Sequence, residues 1–181
     1  MFFFIFDNKF RQTVIKQKKN QEESPLIRDY QAKLRTPFAV LGIRTDEDWL
    51  TDIDYLPINT LTLPPQTLLA KEVCRQLSAY LTDPNHKFDL SLHISGTIHQ
   101  QRVWKAIMAI PGGETSSYAA IAAQIHSAPR AVGRACGANR IPIVIPCHRV
   151  ISKNGALGGF MNASAGDPLE IKRWLLGHES V

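Results

Sequence analysis

Cysteine is scarce in this chain. Its 181 residues include three, Cys74, Cys136 and Cys147, and no two have CxxC spacing. A disulfide scaffold is excluded on that count, and a reducing compartment is the natural reading. Long apolar runs are absent as well, since none approaches the roughly 20 residues that a membrane-spanning helix needs. The cluster Met1-Phe2-Phe3-Phe4-Ile5-Phe6 is too short for a signal-peptide core, and no basic residue precedes it. Acidic residues are thin in one half only. Residues 97–181 carry 9 Lys and Arg against 4 Asp and Glu, whereas residues 1–96 balance at 12 against 12. A basic half beside a neutral one is the footprint expected of a nucleic-acid-facing unit.

The pattern along the chain predicts an α+β fold in two parts behind an extension. Residues 1–28, with six basic residues, two glutamates near their end and no settled period, read as an N-terminal extension. Residues 29–95 read as a small antiparallel-sheet lobe. Short strand-like runs at Tyr30 to Arg35, Phe38 to Arg44 and Trp49 to Tyr55 are broken by Thr36-Pro37 and Asp46-Glu47-Asp48. A helix opening at Pro64-Pro65 carries Leu68, Leu69, Val73, Leu77 and Tyr80 at helical spacing. Cys74 lies on it with no base nearby in sequence and reads as packing.

Residues 96–181 read as a mostly helical domain. Thr97 and Gln100 form a capping-box signature, and the helix they open stops by Pro111-Gly112-Gly113. A helix from Tyr118 to His126, capped by Ser116 or Ser117, is followed after Ser127 by another from Arg130 to about Ala138. Two short helices so joined make a helix-turn-helix. The second one, Arg130-Ala131-Val132-Gly133-Arg134-Ala135-Cys136-Gly137-Ala138, lacks the long polar side chains that read major-groove base edges. Its smooth face suits close minor-groove docking, or equally packing against neighbouring helices. A last helix, with Asp167 as N-cap and Pro168 at its first position, is expected to end at Gly177 and leave His178 and Glu179 just beyond.

The chemistry concentrates at Ile145-Pro146-Cys147-His148-Arg149-Val150. Proline stiffens the approach to the thiol, and the next two residues bring a base and a fixed cation beside it. Taken alone, such a cysteine reads first as a small buried hydrophobe and second as a nucleophile.

With Asn139 and the Arg130-Ala131-Val132-Gly133 string before it, this motif resembles the O6-alkylguanine-DNA alkyltransferases, the methylated-DNA–protein-cysteine methyltransferases. The resemblance covers residues 96–181 strongly, 30–90 loosely and 1–28 not at all. It implies that Cys147 accepts the alkyl group from O6 of guanine in double-stranded DNA, once per molecule. It further implies His148 as base through a bridging water, oriented by Glu179, with Tyr118 polarising the departing guanine. Arg130 would fill the base stack after nucleotide flipping. Tyr118, Ala131, Gly133, Arg134 and Ala135 join Arg130 in the DNA-facing set, and Asn139 supports the cysteine turn. Val150, Phe160 and Met161 would line the alkyl pocket. No cofactor is implied, and a monomer in the cytoplasm, or in the nucleus of a eukaryote, is expected.

Some residues depart from the family pattern. His99 stands where an aromatic residue is usual, Phe160 where many members have tyrosine, and Arg134 where a small residue is common. Some relatives hold zinc in the N-terminal lobe through Cys and His, and with no cysteine before Cys74 none is expected here. Three rival readings fit the residues less well. Alkyltransferase-like proteins that only grip damaged DNA lack the cysteine present at 147. A helix-turn-helix regulator calls for a more polar reading helix. A papain-type hydrolase joins Cys and His from distant segments rather than as neighbours.

Overall fold

The computed structural model describes residues 29–161 and 167–180, so the expected extension at 1–28 lies outside them. Strands β1 (Ala32–Arg35), β2 (Val40–Asp46) and β3 (Trp49–Leu56) form an antiparallel meander in the order β1-β2-β3. The β2–β3 ladder pairs Val40 with Leu56 and Asp46 with Trp49, with a bulge at Arg44 and Thr45. Helix α1 (Leu68–Thr82) packs Val73, Leu77 and Tyr80 against Leu41, Ile43 and Leu50 of the sheet. Burying side chains of this size contributes about 1.5–3 kcal/mol each.

Helix α1 starts later than Pro64-Pro65 suggests. Lys33 and Leu63 exchange both backbone hydrogen bonds, at 2.9 and 3.1 Å, so the chain is still extended there. The helix begins only where the Thr67 side chain caps the N–H of Ala70.

The remainder is helical. Helix α2 (Ile98–Met108) opens on the complete Thr97/Gln100 capping box. Helices α3 (Tyr118–Gln124) and α4 (Pro129–Gly137) follow, turning at His126 with φ of 51°, and the N–H of Ser127 closes the turn on the Ala122 carbonyl. Trp104 of α2 donates from Nε1 to the Ala135 carbonyl at 2.8 Å, pinning α4 to the core. A 3-10 turn, Cys147–Arg149, leads into strand β5 (Val150–Ile151), and β5 pairs in parallel with β4 (Ser116–Ser117). Nothing in the local sequence signals that pairing. It places Tyr118, the first residue of α3, beside the exit of the cysteine turn.

The last helix, α5 (Asp167–Glu179), passes through Gly177 and includes His178 and Glu179, which corrects the expected end. Gly177 is not among the glycines with positive φ, so it makes no left-handed cap. The final turn is held instead by tertiary hydrogen bonds, one that Glu179 accepts from His148 and one that His178 donates to the Tyr80 carbonyl. Among the described residues no helix is long and apolar enough to cross a membrane, and no group of three or more His, Cys, Asp or Glu is arranged to hold a metal.

Candidate active site

The segment before the thiol is a tight buried turn. Ile143 adopts φ of 74°, a costly conformation for a β-branched residue, and the N–H of Ile145 returns to the Ile141 carbonyl at 2.9 Å. Burial of Ile141, Ile143 and Ile145 at 2% exposure each holds that strain in place. Asn139, at the end of α4, fastens the turn from the other side. Its Nδ2 donates to the Ile145 carbonyl at 2.9 Å and to Cys147 Sγ at 3.3 Å, while its Oδ1 accepts from the N–H of Ile141 at 3.0 Å.

Cys147 is 4% exposed. Burial pushes its thiol up, although the Asn139 hydrogen bond and the charge of Lys172 oppose that rise. The resting sulfur is therefore a thiol, and attack on an alkyl carbon needs a route for its proton.

The next residue, His148, is buried with a carboxylate partner. Its Nε2 lies 2.9 Å from Glu179 Oε1, and both side chains are essentially inaccessible. Glu179 also accepts from Arg149 Nε at 2.8 Å, from Arg149 Nη2 at 2.9 Å and from the Tyr80 hydroxyl at 2.8 Å. Burial would raise this carboxyl, but the His148 and Arg149 hydrogen bonds outweigh it and keep it well below the usual carboxylate range. An ionised carboxylate only accepts, so Nε2 carries the proton. Burial lowers His148 against the pull of Glu179, which favours the neutral ring. Its Nδ1 is then a buried lone pair with no protein partner among the described residues.

Cys147 lines a cavity of ≈ 780 Å³ with Tyr118, Arg130, Gly133, Arg134, Cys136, Phe160 and Met161 among its walls. That lies within the size range of small-ligand pockets, about 300–1,000 Å³. Tyr118 donates its hydroxyl to the Gly159 carbonyl at 3.0 Å, and burial pushes the phenol up to about 12, so it stays protonated. Arg130 and Arg134 are exposed along the α4 side of the cavity.

Two expected residues sit elsewhere. Ala135 is 1% exposed in the core, where its carbonyl meets Trp104, and it offers no surface to a duplex. Val150 is fully buried and does not line the cavity; its carbonyl accepts from Lys172. Both are small apolar positions, which in sequence look alike on a binding face and in a core.

Lys172 was missed. It is fully buried on α5, and its Nζ donates to the carbonyls of Val150, Leu157 and Gly159, at 2.6 Å for the first. Burial lowers it to about 8, opposed by the neighbouring Cys147 and Cys136 thiols. The sequence signal was its place one turn before Leu175 and two before Glu179, on the inward face of the helix.

With this geometry in view, the likeness to known proteins is informative. Residues 99–181 match the family described as 6-O-methylguanine DNA methyltransferase, DNA binding domain. A constitutive methylated-DNA–protein-cysteine methyltransferase of Bacillus subtilis is 39% identical over 163 residues, covering 84% of this chain and 96% of that protein. One of Methanosarcina acetivorans is 36% identical over 81% of this chain and 96% of its own. The crystal structure of Mycobacterium tuberculosis OGT in complex with DNA superposes with a TM-score of 0.69 at 38% identity, covering 82% of this chain and 91% of that one. Motif, fold and near full-length identity agree, and the chain belongs to the methylated-DNA–protein-cysteine methyltransferase family.

Proposed function

We propose that this protein repairs O6-alkylguanine in double-stranded DNA by moving the alkyl group onto its own Cys147. The observation that carries this is a thiol at the wall of a cavity of ≈ 780 Å³, next in sequence to a buried histidine whose Nε2 is paired with a carboxylate and whose Nδ1 has no partner among the described residues. The Cys147 proton passes through a water to His148 Nδ1, and Glu179 stabilises the resulting imidazolium. Sγ then attacks the alkyl carbon in line, an S–C bond forms, and the C–O6 bond breaks with its electron pair left on guanine. The Tyr118 hydroxyl donates to the departing base, and Asn139 holds the turn. Phe160 and Met161 flank the alkyl group.

DNA approaches along α4. Gly133 and Ala131 allow close contact on the minor-groove side, Arg130 takes the place of the extruded nucleotide, and Arg134 adds a phosphate contact. Residues 96–181 act as the catalytic, DNA-binding domain, and residues 29–95 as an N-terminal lobe. A thioether offers neither water nor imidazole a leaving group, so each molecule acts once. The protein works as a monomer in the cytoplasm, or in the nucleus of a eukaryote, where the thiol stays reduced.

Intact-protein mass after incubation with a duplex containing one O6-methylguanine tests this. The expected result is a gain of one methyl group, on the Cys147 peptide, saturating at one per molecule, with Cys147→Ala binding the duplex but gaining nothing. Binding without a mass gain in the native protein would reduce it to a damage sensor.

A further inference from the structure

We infer that Tyr80, on helix α1, is a positioning residue for alkyl transfer, its hydroxyl fixing the Glu179 carboxylate that orients His148. Tyr80 lies outside the 99–181 segment that carries the family match. This inference rests on the reading of His148 as the base.

Glu179 Oε1 is the shared acceptor. It takes His148 Nε2 at 2.9 Å, Arg149 Nη2 at 2.9 Å and Tyr80 Oη at 2.8 Å, and the separation between Tyr80 and Glu179 in sequence is 99 residues. Oε2 is occupied by Arg149 Nε. Four donors on one buried carboxylate leave it little freedom to turn. Three come from the cysteine turn, and among the described residues only Tyr80, on α1, brings a side-chain donor from outside it.

The phenol is itself held rigidly. Tyr80 is 1% exposed, its ring stands edge-on to His178 at 5.2 Å and tilted against Phe88 at 5.6 Å, and its own carbonyl receives His178 Nε2 at 2.8 Å. The charged and titratable groups facing Glu179 are His148 and Arg149 from the cysteine turn and Tyr80 from α1, while on α5 His178 meets Tyr80 and the charge of Lys172 acts on His148. Burial raises the Tyr80 hydroxyl, and the Glu179 charge raises it further, so it remains a donor throughout the neutral range.

A neutral donor on Oε1 spreads the carboxylate charge away from His148. Without it, Oε1 holds the imidazolium proton more tightly, and the histidine becomes the protonated, inactive form at a higher pH. The effect of one hydrogen bond of about 1 kcal/mol corresponds to a shift of roughly 0.7 pH unit. A tyrosine that served packing alone would not move the profile.

The test is the single-turnover rate of transfer from an O6-methylguanine duplex as a function of pH. It compares the native protein with Tyr80→Phe, Glu179→Gln and Leu77→Ala, the last a buried position on the same helix. Tyr80→Phe is expected to move the acidic limb upward with duplex affinity unchanged, and Leu77→Ala to lower stability without moving it. 3-Fluorotyrosine at position 80, a stronger donor of nearly the same size, should move the limb downward, and it decides the matter if Tyr80→Phe does not fold. Limbs superimposable on the native one, or moved equally by Leu77→Ala, overturn the inference while leaving the His148–Glu179 relay intact. A Glu179→Gln variant as fast as the native protein overturns the relay and the inference together.

Discussion

Arg130 shows how much of this site depends on position rather than residue type. It is an exposed arginine lining the cavity, at the second position of α4. Its proposed work is confined to duplex DNA, where extruding a base costs a few kcal/mol and a planar cation in the gap offsets part of that. Arg130→Ala is therefore expected to slow repair of a duplex by about tenfold or more, while reaction with free O6-benzylguanine stays near the native rate. Equal losses on both substrates would remove Arg130 from the flipping step. Cys136 lines the same cavity, yet burial pushes its thiol up to about 12, and its sequence neighbours Ala135 and Gly137 bring it no base. Proximity to the pocket does not make a nucleophile.

At the scale of elements, the loop after β5 is shaped by α5. Lys172 collects the carbonyls of Val150, Leu157 and Gly159 at one ammonium, and Tyr118 donates to the last of these from the opposite side. Gly158 makes the close approach possible. Its φ is 68°, and a Cβ there would come within 2.8 Å of Tyr118 Cε2 and 3.1 Å of Ser152 Oγ. Gly158→Ala should cost about 1–2 kcal/mol of stability from the left-handed backbone alone. It should also displace Tyr118 and reduce the transfer rate, measured by thermal melting beside single-turnover kinetics. A stable variant with native kinetics would show that Tyr118 is free to move.

At the scale of the molecule, the sheet and the helices meet along one seam. Arg140 Nε donates to Asp52 Oδ1 at 2.6 Å, the N–H of Ile53 donates to the Arg140 carbonyl at 2.8 Å, and Tyr80 meets Glu179. Because His148 and Glu179 are buried in this seam, stability is linked to pH. His148 is lowered in the fold from 6.5, so the unfolded chain binds more protons below that value and stability falls as pH drops through it. Glu179 is lowered from 4.5, so its share is complete above 4.5 and is lost on further acidification. Lys172, at about 8 in the fold against 10.5, adds stability only as pH rises between those values. Melting temperature should hold level from about pH 6.5 to 8 and decline steadily in acid, with a shallower decline below 4.5 for Glu179→Gln. An acid profile unchanged by that substitution would mean that Glu179 is not ionised in the fold.

What the sequence determined by itself was local. The Thr97/Gln100 capping box, the two short helices with Pro129 at the start of the second, the three-stranded meander and the Pro146-Cys147-His148-Arg149 turn all follow from residues close together in the chain. Propensity, capping and turn chemistry act over a few residues, so such features can be read directly. Tertiary structure decided the rest. The parallel β4–β5 pair, Lys172 beneath the loop, the burial of Ala135 and Val150, and Tyr80 on a carboxylate 99 residues away were all settled by packing. A buried lysine or tyrosine is written with the same letter as an exposed one. Only the fold removes water from it and requires that each polar atom find a partner.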